Sequence, residues 1–181
     1  RIGLDVFPSN SDLTAAEVSL FQVDEREYRL KKALEHVDNQ YARLILDCPP
    51  SLNMLTLNAL AAANSVLIPM QCEYYALEGL ASLLETIEQV RGSVNPGLDI
   101  EGLLRTMYDG RNNLSGAVSE QLIEHFGDRV YRTLIPRNDR VAEAPSHGLP
   151  VLRYAPASLG SLAYLGLAGE LLRRNRKRQA G

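Results

Sequence analysis

The chain has 181 residues, 45% of them hydrophobic, and a formal net charge of −3. That is length enough for one substantial core, and neither charge excess nor low complexity argues for disorder. The charge is uneven, acidic on balance over residues 1–100 and basic over 153–181, so any nucleic-acid contact is expected toward the C-terminal half.

In chain order, short β-rich apolar runs alternate with longer helical patterns, the signature of a parallel sheet covered on both faces. The first expected strand is Leu4–Pro8. A charged surface helix follows over Asp24–Asp38, with Leu30, Leu34 and Val37 turned inward. Arg43–Asp47 reads as a second strand, and Leu52–Ala63 as a helix apolar almost all round. From Cys48 to Cys72 no residue is charged, but Pro49, Pro50 and Pro69 interrupt the run, which suits a buried strand-helix-strand better than a membrane span. The third strand is Ser65–Met70.

Tyr75–Arg91 is the clearest helix, with Leu77, Leu80, Leu84 and Ile87 at three- and four-residue spacing and Glu78, Glu85 and Glu88 facing water. Strands at Glu101–Met107 and Val130–Ile135 flank a helix at Leu114–Phe126. The last helix, Ser158–Arg174, is expected to bury Leu159, Leu162, Leu165, Ala168 and Leu172. Together these predict one domain over 1–181, with a mostly parallel sheet flanked by helices in a Rossmann-like α/β arrangement.

Cys48 and Cys72 form no C-x-x-C pair and have no His at ligand spacing, which points to buried free thiols rather than to a metal or redox site. His36, His125 and His147 have no sequence neighbours that suggest a nucleophile or a metal triad.

Arg43-Leu44-Ile45-Leu46-Asp47 is an apolar run ending in a carboxylate, and strand C-termini face the ligand crevice of open parallel sheets. The acid is followed by two prolines, which stop ladder pairing and stiffen the exit. The stretch Asp47-Cys48-Pro49-Pro50-Ser51-Leu52, continued by Thr56-Leu57-Asn58-Ala59-Leu60, resembles the switch II region of the ParA/Soj partition ATPases. The likeness extends to Pro69–Gly79, Thr106–Arg111, Ile135–Asn138, Glu143–Gly148 and Pro8–Leu13 with Glu17.

This resemblance implies a P-loop NTPase fold, incomplete at the N-terminus, in which the chain is the C-terminal two-thirds of the ATPase domain. It implies ATP and Mg2+ as cofactors, ATP-sandwiched homodimers, non-specific DNA binding, a ParB-like partner that stimulates hydrolysis, and a cytoplasmic, nucleoid-associated location without membrane attachment. Asp47 would be the catalytic switch II acid, acting on Mg2+ through water, with Pro49 and Pro50 making the switch a discrete two-position element. Pro136, Arg137 and Asn138 would border the nucleotide base, the alternative being a plain turn capped by Asn138. Glu73 and Tyr74 would line the dimer face.

Arg111, Arg137 and Arg140 are the expected DNA contacts, with Arg105, Arg129 and Arg132 as further candidates. The tail Arg173–Arg178 reads either as a DNA contact or as cations complementing a helix dipole. The chain departs from the family in two respects: no G-x-x-x-x-G-K-[ST] or K-G-G-x-x-K-[ST] run occurs in it, and the switch I acid that the family carries between that run and switch II is missing too. Without that phosphate cradle the segment alone is expected to be inactive. Alternatives are a MinD-like positioning ATPase, which would need an amphipathic C-terminal helix, an iron–sulfur carrier, which would need bridging cysteines, and a non-enzymatic interaction module.

Overall fold

A computed structural model describes residues 4–10, 12–49 and 51–180. The architecture is mostly helical, 56% helix, with a two-stranded parallel sheet. This overturns the expected sheet-dominated Rossmann-like fold. The helices are α1 (Asp12–Leu20), α2 (Arg29–Leu34), α3 (Met54–Ala62), α4 (Ala76–Ser93), α5 (Asn113–Phe126), α6 (Asp139–Glu143), α7 (Val151–Tyr154) and α8 (Leu159–Ala180), and the strands are β1 (Ser65–Gln71) and β2 (Asp99–Thr106).

The reason lies in pairing rather than in composition. Leu4–Pro8 and Arg43–Asp47 have the residues of strands but belong to no strand, and Ile45 is 87% exposed. The Tyr41 hydroxyl, just before the second segment, donates to Asp5 of the first at 2.8 Å. Val130–Ile135 meets β2 through Tyr131 N to Leu103 O (2.9 Å) and Ile135 N to Arg105 O (2.8 Å). Between these contacts the Arg132 and Thr133 amides donate to the Glu170 carboxylate instead. Of the expected strand an isolated parallel bridge remains, Leu103–Val130, with a second, Tyr108–Pro136, just beyond its end.

The chain forms two compact units: Arg1–Ser65 with Ile87–Leu98, and Val66–Thr86 with Asp99–Gly181. In the first, the side chain of Asn58 on α3 is buried and makes three bonds. Its oxygen accepts from Leu30 N at 3.1 Å, and its amide donates to Arg26 O at 2.8 Å and Met54 O at 3.0 Å. One of the orphan donors that every helix start carries is thereby satisfied at α2. Asn95 donates to Leu60 O and Ala63 O at 2.9 and 2.8 Å, closing the C-terminal end of α3. The expected Asp24–Asp38 helix is broken into a 3-10 turn at Arg26–Tyr28 and the short α2, after Glu25 adopts a left-handed backbone (φ 52°). Leu30, Leu34 and Val37 are half-buried, as the pattern predicts, and so are Arg26, Glu27 and Tyr28 of the 3-10 turn.

In the second unit β1 and β2 lie parallel, joined by α4, so both C-termini fall at one edge. Leu104, Tyr131 and Ile135 form a core against which Ala163, Leu167 and Leu171 of α8 pack. That face is the opposite of the one expected: Leu159 is 70% exposed, Leu162, Leu165 and Leu172 are about half exposed, and Ala168 is exposed too. Glu170 and Arg174 occupy the buried stripe because they satisfy backbone groups there. Gly102 is required inside β2: its φ is 154°, and a Cβ would sit 2.6 Å from Arg129 O and 2.7 Å from the Tyr131 ring.

Candidate functional site

The carboxyl edge of the β1/β2 sheet collects the loops that the sequence singles out in this unit. After β1, Glu73 and Tyr74 are exposed, and Tyr74 packs edge-on to Tyr75 at 5.0 Å between ring centroids. With Ile68–Gln71 and the first two turns of α4, these residues line an open groove of about 520 Å3. After β2 the chain turns through Met107 at a positive φ (52°), which L-residues seldom adopt.

Tyr108 then bridges to Pro136: Tyr108 N donates to Ile135 O at 3.1 Å and Arg137 N to Tyr108 O at 3.0 Å. Pro136 is half-buried and Arg137 exposed. Asn138 caps α6, its side-chain oxygen accepting from Val141 N at 3.3 Å. The cap is braced by α8, where Gly160 approaches so closely that a Cβ would lie 2.3 Å from Val141 Cγ2 and 3.2 Å from Asn138 Oδ1.

The arginines divide sharply. Arg111 forks onto Asp109, Nε to Oδ1 at 3.0 Å and Nη2 to Oδ2 at 2.9 Å, while the Arg111 amide donates to Oδ1 at 3.0 Å. These bonds hold the Asp109 carboxyl down to about 2, helped by the nearby charge of Arg137. Arg140 pairs with Glu143 at 2.8 Å. Arg105 is buried, donating to Ser119 Oγ at 2.7 Å and to Tyr131 O and Arg132 O at 2.9 and 3.2 Å, so it is closed to a nucleic acid. Arg129 and Arg132 are exposed.

In the tail, Arg174 donates to Asp128 O and Val130 O and lies 4.1 Å over the Tyr131 ring. Arg178 pairs with Glu101 at 2.7 Å. The buried Tyr131 hydroxyl donates to Glu101 at 3.1 Å, and burial, then the Glu101 charge, push that phenol up. Neither of the two tail readings anticipated this role: Arg174 and Arg178 grip carbonyls and carboxylates of the second unit.

In the first unit Asp47 is exposed, and so is Pro49; Pro50 lies outside the described residues. Cys48 is exposed, which corrects the expectation of two buried thiols; Cys72 is buried. Asn53 caps α3, accepting from Thr56 N at 2.9 Å. Glu17 of α1 accepts from Met54 N at 3.3 Å, a carboxylate at the positive end of α3 that sequence reasoning named only as part of a motif. Among the described residues no group of three or more His, Cys, Asp or Glu could hold a metal, and no helix is long and apolar enough to cross a membrane.

Comparison with known proteins defines the class first: residues 2–100, more than half of the chain, match the family described as "AAA domain". The chain is 57% identical over 97% of its length to a Pseudomonas putida protein, covering 66% of it. It is 54% identical over 98% of its length to the chromosome partitioning protein ParA of Caulobacter vibrioides, covering 67% of that protein. A crystal structure of cobyrinic acid a,c-diamide synthase from Mycobacterium smegmatis with bound ATP analogue and magnesium superposes with a TM-score of 0.78 at 38% identity, over 92% of this chain and 61% of that one. The chain belongs to the ParA/Soj/MinD family of deviant Walker-A P-loop NTPases. It spans about two thirds of the length of the curated relatives it matches.

Proposed function

We propose that the complete protein of which this chain forms part is a DNA-partition ATPase. It would use ATP and Mg2+, dimerise around the nucleotide, bind DNA without sequence preference and respond to a ParB-like partner. The observation that carries the DNA and nucleotide reading is the carboxyl edge of the second unit. There a half-buried proline wall at Pro136 lies next to a turn fixed by the Asn138 cap, with Arg111 and Arg137 exposed on the flanking loops and Arg140 exposed on α6.

The residues present fit the cofactors. Mg2+ keeps several waters and takes one or two carboxylates plus phosphate oxygens rather than an all-protein cage, and Asp47 is exposed and so open to such a water shell. When bound, Mg2+ neutralises charge on the phosphates during transfer. Asp47 would orient water there, with the following prolines of the sequence restricting the chain, and the Pro136 ring with the Arg137 backbone would border the base. Glu73 and Tyr74, both exposed, are free to face a second copy. Because the chain carries no G-x-x-x-x-G-K-[ST] run, the 181 residues alone are expected to lack turnover.

The test is ATP turnover by the complete protein and its Asp47→Ala variant. Loss of about 10²- to 10⁴-fold with unchanged stability is expected of a water-orienting group at an exposed position. Turnover retained by Asp47→Ala, or turnover above background from the 181 residues alone, would refute the assignment.

A further inference from the structure

Two of the arginines proposed to meet DNA already hold carboxylates of their own. At Arg140 the arrangement is more than a chance surface pair. Glu143 Oε2 accepts from Arg140 Nη1 at 2.8 Å and from the Tyr154 hydroxyl at 3.1 Å. Tyr154 belongs to α7 and stacks on His147 at 4.6 Å with rings 21° apart, so a second helix and a 3-10 turn position the acid. Arg140, and next Tyr154, hold the Glu143 carboxyl below its ordinary range. Arg140 remains 59% exposed and Glu143 45%, so a large anion can reach both.

We propose that Glu143 is an intramolecular counter-ion that competes with DNA phosphate for Arg140 and thereby sets how weakly and reversibly DNA is held. The inference rests on the reading that Arg140 meets DNA. A phosphodiester that approaches the guanidinium must either displace the carboxylate or accept a like charge a few ångströms away, and both reduce the net gain. Tyr154 anchors the carboxylate, so it does not swing aside freely. The pair is therefore close to neutral toward a polyanion, and the counterions released on binding are fewer than the arginines suggest.

The experiment measures binding of random-sequence duplex DNA to the ATP-loaded complete protein by fluorescence anisotropy, between about 50 and 200 mM salt. Glu143→Gln keeps an acceptor for Tyr154 and removes the charge; Glu143→Ala replaces it should the first variant not fold. The expected result is a Kd lower by about two- to fivefold per protomer, the range that exposed ion pairs command. The plot of log affinity against log salt should also steepen by up to about 0.9 per protomer.

Arg140→Ala separates the two ideas. If it leaves binding unchanged, the DNA reading itself fails. If it weakens binding while Glu143→Gln changes neither Kd nor slope, or lowers affinity, the counter-ion proposal is overturned and the DNA reading stands. In the Arg140→Ala background the gain from Glu143→Gln should largely vanish; a gain that persists undiminished marks a general charge effect and also overturns the proposal.

Discussion

Replacing Glu170 by Gln tests the central packing argument of the second unit. Glu170 lies on the buried stripe of α8, its side chain 9% exposed. One oxygen accepts from Arg132 N at 2.9 Å and from Arg174 Nε and Nη2 at 3.2 and 2.9 Å; the other accepts from Thr133 N at 2.8 Å. Burial pushes this carboxyl up, but the Thr133 and Arg132 amides, the Thr133 hydroxyl and Arg174 outweigh it and hold it at about 2, against an ordinary 4.5.

A depression of that size corresponds to about 3 kcal/mol of folding free energy. Because the folded value is the lower one, the contribution is fully present above about pH 4.5 and is lost as pH falls toward about 2. Gln offers one acceptor oxygen, so an amide or the guanidinium faces its NH2 group instead. The expected loss is about 2–4 kcal/mol at neutral pH, or roughly 5–10 °C in Tm for a chain of this size. Urea unfolding followed by circular dichroism, at several pH values, reads both quantities. A variant within about 0.5 kcal/mol of the parent, a margin typical of neutral surface changes, or a gap that stays constant as pH falls below 4, would refute the reasoning.

Gly102→Ala forces a Cβ against Arg129 O and the Tyr131 ring at a φ of 154°, and a loss of about 2–3 kcal/mol is expected in the same assay. Asn58→Ala leaves the Leu30 amide without its acceptor; a loss of about 1–3 kcal/mol is expected, with faster hydrogen exchange at Leu30 as the local signature. Gly160→Ala presses on Val141 and the Asn138 cap. In the complete protein it should weaken nucleotide affinity more than it lowers Tm, measured by nucleotide titration and thermal melting.

Much of the local structure was legible in the sequence. The spacing of Leu80, Leu84 and Ile87 locates α4, and Ser65–Met70 and Glu101–Met107 locate β1 and β2 to within two residues, because apolar period and Pro/Gly punctuation are local signals. What failed depends on partners. Ile45 and its neighbours have the composition of a strand, yet a strand exists only where another backbone receives its amides and carbonyls. The Thr133 amide shows the complementary case: a glutamate thirty-seven residues away takes the donor that a ladder would have used.

The face of α8 was misread for a related reason. Periodicity favours the leucines at 159, 162 and 165, whereas the side that packs carries Ala163, Leu167 and Leu171 with two charged residues, Glu170 and Arg174, which bond backbone groups that a hydrophobicity pattern does not register. Of the proposed site, the positions of the loops at the sheet edge followed from the motifs. The carboxylates that sit on Arg111 and Arg140 did not, nor did the burial of Arg105, whose guanidinium donates from β2 to Ser119 on α5 and to the carbonyls of residues 131 and 132.

The grip of Arg178 on the Glu101 carboxylate, together with that of Arg174 on the carbonyls of residues 128 and 130, turns the end of α8 into a clasp. Losing Arg178 would therefore take a cationic partner from the buried Glu101 carboxylate inside β2, a cost set by burial rather than by the screening that weakens a surface pair.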